Sequence, residues 1–166
     1  MPPLFDDPDG YVVTWPEVHR DAKYLVRKLL TGRSWEGIVA LTRGGLVPAA
    51  IVAREMDIRI IDTLCISTYE HQDKATEARV LKAPERAVAA GGEGWLLIDD
   101  LVDTGTTLKA AREILPKAFF ATLYAKPEGQ PLVDTFLHEV PQHQWVFFPW
   151  DTDLHYVQPL AKNHRP

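Results

Sequence analysis

An α/β architecture, with a parallel sheet covered by helices on both faces, follows from three features of this chain. Short apolar runs that read as buried strands alternate with stretches of helical period. Each strand gives way abruptly to a polar, glycine-bearing turn from which a helix starts. The composition is that of an ordinary soluble domain, 46% hydrophobic and 25% charged over 166 residues.

The elements follow in order. Met1 to Gly10 holds three prolines and three aspartates and reads as a loose lead-in, unlike a signal or transit peptide. Thr14-Trp15-Pro16-Glu17 is a helix start. Threonine caps the first turn, glutamate three residues on reaches back, and proline is tolerated where amides lack helical partners. Val18, Ala22, Leu25 and Leu29 then recur at helical spacing, and Gly32 offers a stop. Gly37 to Thr42 reads as a buried strand, Arg43-Gly44-Gly45 as a turn, and Leu46 to Met56 as a helix. Ile58 to Tyr69 is β-branched and fits a long strand, or two strands with a kink. Glu70 to Gly94 is charged and rich in alanine and glycine, which suggests a lid or binding loop. Trp95 to Ile98 is a strand, Asp99 to Thr107 a polar loop, Leu108 to Leu115 a helix and Phe119 to Ala125 a strand. Val133 to Pro159 reads as short strands and loops.

Several function classes are excluded at this level. A net charge of −5 argues against a large nucleic-acid footprint, which needs clustered Lys and Arg. One cysteine, Cys65, rules out an internal disulfide framework and suits a reducing compartment. No apolar run approaches the roughly 20 residues of a membrane span. The six histidines lack zinc-ligand spacing and read as structural or solvent-facing.

The chemistry concentrates in Leu96 to Thr107. Ligands of parallel α/β sheets bind beyond the carboxyl ends of strands, where this run falls. Asp103 to Thr107 joins a flexible glycine, Gly105, to threonine hydroxyls and a helix start, an anion cradle suited to a phosphate monoester. Asp99, Asp100 and Asp103 would repel such a ligand unless a divalent cation or hydroxyl donors intervene, which points to a Mg²⁺-bound sugar phosphate. A plain strand-to-helix turn would also use Asp-Thr-Gly, but not the entire run of four apolar residues, two acids, two apolar residues and Asp-Thr-Gly-Thr-Thr. The loop is neither a Walker A sequence nor a dinucleotide fingerprint.

Ile98 to Thr107 resembles the signature with which type I phosphoribosyltransferases hold 5-phosphoribosyl 1-diphosphate (PRPP). Thr14-Trp15, Thr42-Arg43-Gly44-Gly45, Leu46-Val47-Pro48, Val80-Leu81-Lys82, Ala125-Lys126-Pro127, Pro131 to Asp134 and Pro149-Trp150-Asp151 follow in the order seen in the family's bacterial purine branch. The likeness covers roughly Tyr11 to Pro159. It implies one domain over 1–166, a mainly parallel sheet of about five strands, a mobile lid at about 67–82 and a purine-binding hood at about 126–160 built with help from the N-terminus.

The resemblance also implies roles. The activity would be Mg²⁺-dependent transfer of the 5-phosphoribosyl group to guanine, xanthine and, less well, hypoxanthine. Asp103, Thr104, Gly105, Thr106 and Thr107 would clasp the 5′-phosphate, with Thr106 standing where the nearest relatives carry glycine. Asp99 and Asp100 would face the ribose hydroxyls, Asp100 would help hold Mg²⁺, and Asp151 would support a second metal. Arg43 and Gly44 belong to the loop that binds pyrophosphate, and Lys74 or Arg79 of the lid would reach the same group. Asp103 would handle the proton on purine N7, Lys126 would meet the 6-oxo group, and Trp145 would stack on the base while Val146 helps read purine C2. The expected setting is a cytoplasmic homo-oligomer, dimer or tetramer, with contact to a membrane surface left open. A PRPP-sensing regulator of the same fold is the second reading, although such proteins need a basic face or a DNA-binding module.

Overall fold

The computed structural model describes the backbone of residues 10–30, 32–71 and 74–151, with side chains for all of these except 69–77. Most of the N-terminal lead-in, the Lys74 side chain and the hood beyond 151 lie outside the described residues. The chain forms two compact units, one from His19 to Gln142 and one made of the segments up to Val18 and from His143.

In the smaller unit, β1 (Tyr11–Val12) pairs in parallel with β8 (Val146–Phe147). The helix start is a closed capping box: Thr14 donates its backbone N–H (2.8 Å) and its hydroxyl (2.7 Å) to Glu17 Oε2. From there α1 (Trp15–Leu29) runs on, and the four apolar positions read from its period are all buried. Trp150 meets Trp15 edge-on and stacks on Phe148.

The larger unit is built on a six-stranded sheet. Its strands are β2 (Gly37–Thr42), β3 (Ile61–His71), β4 (Lys74–Lys82), β5 (Trp95–Val102), β6 (Phe119–Ala125) and β7 (Thr135–Glu139), in the order β4-β3-β2-β5-β6-β7. Five strands are parallel, and β4 runs antiparallel to β3 at one edge. Helix α2 (Leu46–Glu55) lies between β2 and β3 in the chain, α3 (Glu85–Ala89) follows β4, and α4 (Thr106–Ile114) connects β5 to β6. Neighbouring residues on a strand face opposite sides of the sheet. Ile38, Val39, Ala40 and Leu41 are all buried, as are Leu96, Leu97 and Ile98, so both faces are covered. One side packs Val39, Leu41, Leu97 and Phe120 with Leu108, Ala111 and Leu115 of the α4 segment.

Chain order reverses between β2 and β5, since β2 leads outward to β3 and β5 leads the other way to β6 and β7. Connections diverge there and leave a crevice at the carboxyl ends of the two strands. Register is fixed by the pairs Gly37↔Trp95 to Ala40↔Ile98. Trp95 packs so closely on Gly37 that a methyl group there would strike the indole.

Three expectations need adjustment. The polar loop expected from Asp99 begins only at Asp103, because β5 continues beside β6 through Asp99↔Thr122, Leu101↔Tyr124 and Val102↔Ala125. Carboxylates are tolerated there because Asp99 and Asp100, near the end of the strand, are partly exposed. The charged segment 70–94 is no single loop: it contains β4 and α3. Charged side chains such as Arg79 and Lys82 suit an edge strand, where they discourage pairing with other chains. Within the expected hood, residues 126–142 belong to the larger unit and supply β7 to its sheet.

A buried acid ties α1 to β6 and β7. The Tyr124 hydroxyl donates to Asp21 Oδ2 (2.7 Å), Arg20 Nε donates to Oδ1 (2.9 Å), and His138 Nε2 lies 3.2 Å from Oδ2. Burial alone would raise the Asp21 pKa. The hydrogen bonds from Arg20, Tyr124 and His138, with the charge of His138, outweigh it and hold the carboxyl below its ordinary 3.8. A depressed folded-state value stabilises above the unfolded value and loses that stabilisation as pH falls through the folded one. Tyr124→Phe removes a hydrogen bond to a charged group and is expected to cost about 1.5–3 kcal/mol at pH 7. Urea unfolding checks this, and the difference from wild type should shrink once pH drops below 3.8.

Candidate active site

Where β5 ends, Gly105 adopts a left-handed conformation (φ 83°) with Leu132 packed against it, so a side chain at this position would be strained. Helix α4 starts at the next residue, and its first-turn amides lack intrahelical acceptors. Thr104 and Thr106 hydroxyls lie 3.2 Å apart beside those amides. The loop borders a cavity of about 240 Å³, lined by Thr68, Asp99 and Leu101 to Leu108. Amides, hydroxyls and the helix dipole make this an anion seat.

The turn after β2 stands next to it. Gly45 has no room for a methyl group because its α-carbon faces the carbonyls of Ile98 and Leu41. Gly44 is pressed against the Asp100 carboxyl, so that a methyl group would overlap all three of its atoms. Thr42 donates its hydroxyl to Leu64 O (3.3 Å), the Thr42–Arg43 peptide is cis, and the Arg43 side chain is exposed. Two glycines therefore allow the β2 turn to lie directly against the acidic end of β5.

Asp99 Oδ1 accepts the Asp100 N–H (2.9 Å), and Asp100 Oδ1 accepts the Leu101 N–H (2.6 Å). Burial, with the charge of Asp100 beside it, pushes the Asp99 carboxyl well above the ordinary carboxylate range. A divalent cation would relieve that repulsion, so the donor set fits one. Among the described residues no group of three or more His, Cys, Asp or Glu is arranged to hold a metal. An ion here would take further oxygens from substrate and water, the usual habit of Mg²⁺.

Asp103 completes the site. Lys126 Nζ donates to its Oδ2 (2.8 Å), and Gln142 Nε2 donates to its Oδ1 (2.8 Å). The Lys126 side chain is almost fully buried while Asp103 is 46% exposed, so the carboxylate faces the opening and the lysine backs it. The backbone of Lys126 is itself fastened to the end of β5, its N–H on Val102 O (2.9 Å).

A model of the phosphoribosyl transferase domain matches residues 12–156. The chain belongs to that family. It is 55% identical over 151 residues to the xanthine-guanine phosphoribosyltransferase of Nitratidesulfovibrio vulgaris strain DP4, covering 91% of this chain and 90% of the relative. Identity to the enzyme of that name from Chromohalobacter salexigens is 52% over 155 residues, covering 93% and 92%. Among solved structures, the purine phosphoribosyltransferase of Pyrococcus horikoshii superposes with a TM-score of 0.73 at 22% identity, covering 87% of this chain and 95% of that one. The fold is shared at that distance.

Within this phosphoribosyltransferase, the larger unit brings together Gly44, Asp99, Asp100, Asp103 to Thr107 and Lys126. Arg79 is exposed on the β4 edge, and the Lys74 side chain lies outside the described residues. Trp145, Val146 and Asp151 lie in the smaller unit. There the Trp145 indole is 58% exposed and its carbonyl accepts the Tyr11 N–H (2.7 Å), while Val146 is buried and Asp151 is exposed. Sequence reasoning missed Gln142. A glutamine in Pro141-Gln142-His143-Gln144 carries no pattern of spacing or charge, and only the folded strand order brings it to Asp103.

Proposed function

We propose that the chain transfers the 5-phosphoribosyl group of PRPP to the 6-oxopurines guanine, xanthine and, less efficiently, hypoxanthine, releasing pyrophosphate in purine salvage. The observation that carries this reading is the Asp103–Lys126 pair at the mouth of the phosphate cradle: a carboxylate to take a proton beside a cation to meet a carbonyl oxygen. The names of the relatives at 52–55% identity support the choice of bases.

In this reading the Thr104 to Thr107 amides and hydroxyls seat the 5′-phosphate and fix C1 of the ribose over the crevice. Asp99 and Asp100 accept from the ribose hydroxyls, and Asp100, packed against Gly44, would hold Mg²⁺. A bound Mg²⁺ would neutralise charge on the departing pyrophosphate. Amides of the Arg43–Gly44 turn bind the same leaving group, with Lys74 or Arg79 reaching it from the β3–β4 ribbon as a lid. Positive charge develops on the ribose as the bond to pyrophosphate breaks, and the neighbouring carboxylates stabilise it. Asp103 takes the N7 proton, Lys126 selects a 6-oxo group over an amine, Trp145 stacks on the base and the Val146 backbone reads C2. Asp151 would support a second ion. The working protein is a cytoplasmic homo-oligomer.

Pyrophosphate release measured with PRPP, Mg²⁺ and a panel of xanthine, guanine, hypoxanthine, adenine and orotate tests the proposal. Release is expected with the 6-oxopurines alone and is expected to stop when the metal is chelated. Release with adenine or orotate would overturn the base assignment. PRPP binding without release on any base would overturn the enzymatic reading in favour of a sensor.

A further inference from the structure

We propose that Gln142 is a positioning residue that holds Asp103 in the orientation from which it takes the purine proton. The inference rests on the reading of Asp103 just given and adds to it a residue outside the recognised motifs.

Three adjacent strand ends meet at this point. Asp103 follows β5, Lys126 and Glu128 follow β6, and Gln142 follows β7. Val140 extends the β6–β7 ladder by one bond, its N–H on Ala125 O (3.1 Å), which delivers the glutamine to the turn after β6. That turn is packed tightly on the end of β5, since a methyl group on Gly129 would strike Val102 and the Asp103 carbonyl.

The direction of the Gln142 amide is dictated by its other partner. Glu128 donates its backbone N–H to Gln142 Oε1 (3.0 Å), so that end must be the acceptor. The Nε2 end must then face Asp103, where it donates to Oδ1 (2.8 Å). A carboxylate offers about two lone-pair positions on each oxygen. Gln142 fills one on Oδ1, and Lys126 fills one on Oδ2.

The two donors differ in what catalysis asks of them. Lys126 must turn part of its charge toward the 6-oxo group of an arriving base, which loosens its hold on Oδ2 just as that oxygen receives the N7 proton. Gln142 makes no such turn. It keeps the plane of the carboxylate fixed while the other oxygen reacts. Its contribution therefore belongs to the chemical step, and PRPP binding should not sense it.

Four proteins test this with steady-state kinetics on PRPP and guanine: Gln142→Leu, Gln142→Glu, Asp103→Asn and Asp103→Asn with Gln142→Leu. Gln142→Leu removes one hydrogen bond to a charged group, so kcat should fall about 10-fold to 100-fold with the KM for PRPP unchanged. Gln142→Glu keeps the acceptor for the Glu128 N–H but places a carboxylate against Asp103, and its kcat should fall as far. In the Asp103→Asn background Gln142→Leu should cost nothing further, because residues acting through one group are not additive.

Unchanged kcat in Gln142→Leu would overturn the inference, as would wild-type turnover in Gln142→Glu, which would reduce the residue to an anchor for its loop. Equal losses in both backgrounds would assign a general structural role and overturn it too. Full turnover in Asp103→Asn alone would instead remove the acid/base reading of Asp103, and the inference with it.

Discussion

Asp103→Asn is expected to lower turnover by about 10²–10⁴-fold, the usual worth of a positioned general acid or base. PRPP affinity should change little. In the proposed reading the amides and hydroxyls of Thr104 to Thr107 seat the phosphate, and their geometry follows from Gly105 and the start of α4 and needs no carboxylate at 103. The substitution also has a local consequence. Asp103 receives a donor on each oxygen, so an asparagine must turn its own NH₂ toward either Lys126 or Gln142. The Gln142 amide cannot simply flip to accept it, because Glu128 holds the other end. Single-turnover rates with guanine, set beside calorimetric PRPP binding, separate the two effects. Turnover near the wild-type value would remove Asp103 from the proton transfer.

Gly44→Ala should lower kcat/KM for PRPP by about 10²-fold, the scale of a reacting group misplaced by roughly 1 Å. Gly44 is absent from the residues with positive φ, so a methyl group is acceptable to its backbone; the conflict is with the Asp100 carboxyl. Asp100 has to swing away from the turn, and whatever it presents to ribose hydroxyls and metal moves with it. The Mg²⁺ concentration for half-maximal rate should rise in the same variant. Titrating Mg²⁺ and PRPP against initial rate reads both. Wild-type dependence on each would mean that Asp100 does not work from the position it occupies here. Gly45→Ala offers a contrast, since its added methyl meets the Ile98 carbonyl within the sheet and should lower stability first.

Much of this site was legible before any coordinates. The strands Gly37–Thr42 and Phe119–Ala125 and the start of β5 at Trp95 follow from apolar runs buried on both faces, which leave little choice of conformation. The α1 start was written in four residues, and the folded capping box uses the expected Thr14 and Glu17. Asp103 and Lys126 came from motif resemblance, and the fold places them in one ion pair.

What stayed hidden depended on pairing. Asp99 to Val102 reads as loop by polarity, yet it is strand because β6 continues alongside it. β4 is obscured in the same way, since an edge strand satisfies its backbone on one side only and need not be apolar. Gln142 is the extreme case: 39 residues separate it from Asp103 in the chain, and nothing local marks it.

The close fit of Trp95 over Gly37 has a reach beyond its own neighbourhood. Those two residues lie at the far ends of β2 and β5, roughly 20 Å from Gly44 at about 3.3 Å per strand residue. Register is shared along a strand pair, so a shift of pairing where the indole covers the glycine would change which residues of β2 and β5 face each other at the other end, where Gly44 meets Asp100. The indole thus acts as a zero mark for the scale on which the turns after β2 and β5 are aligned. A substitution at Gly37, at the opposite end of β2 from the Gly44 turn, is expected to lower activity while leaving each motif residue in place.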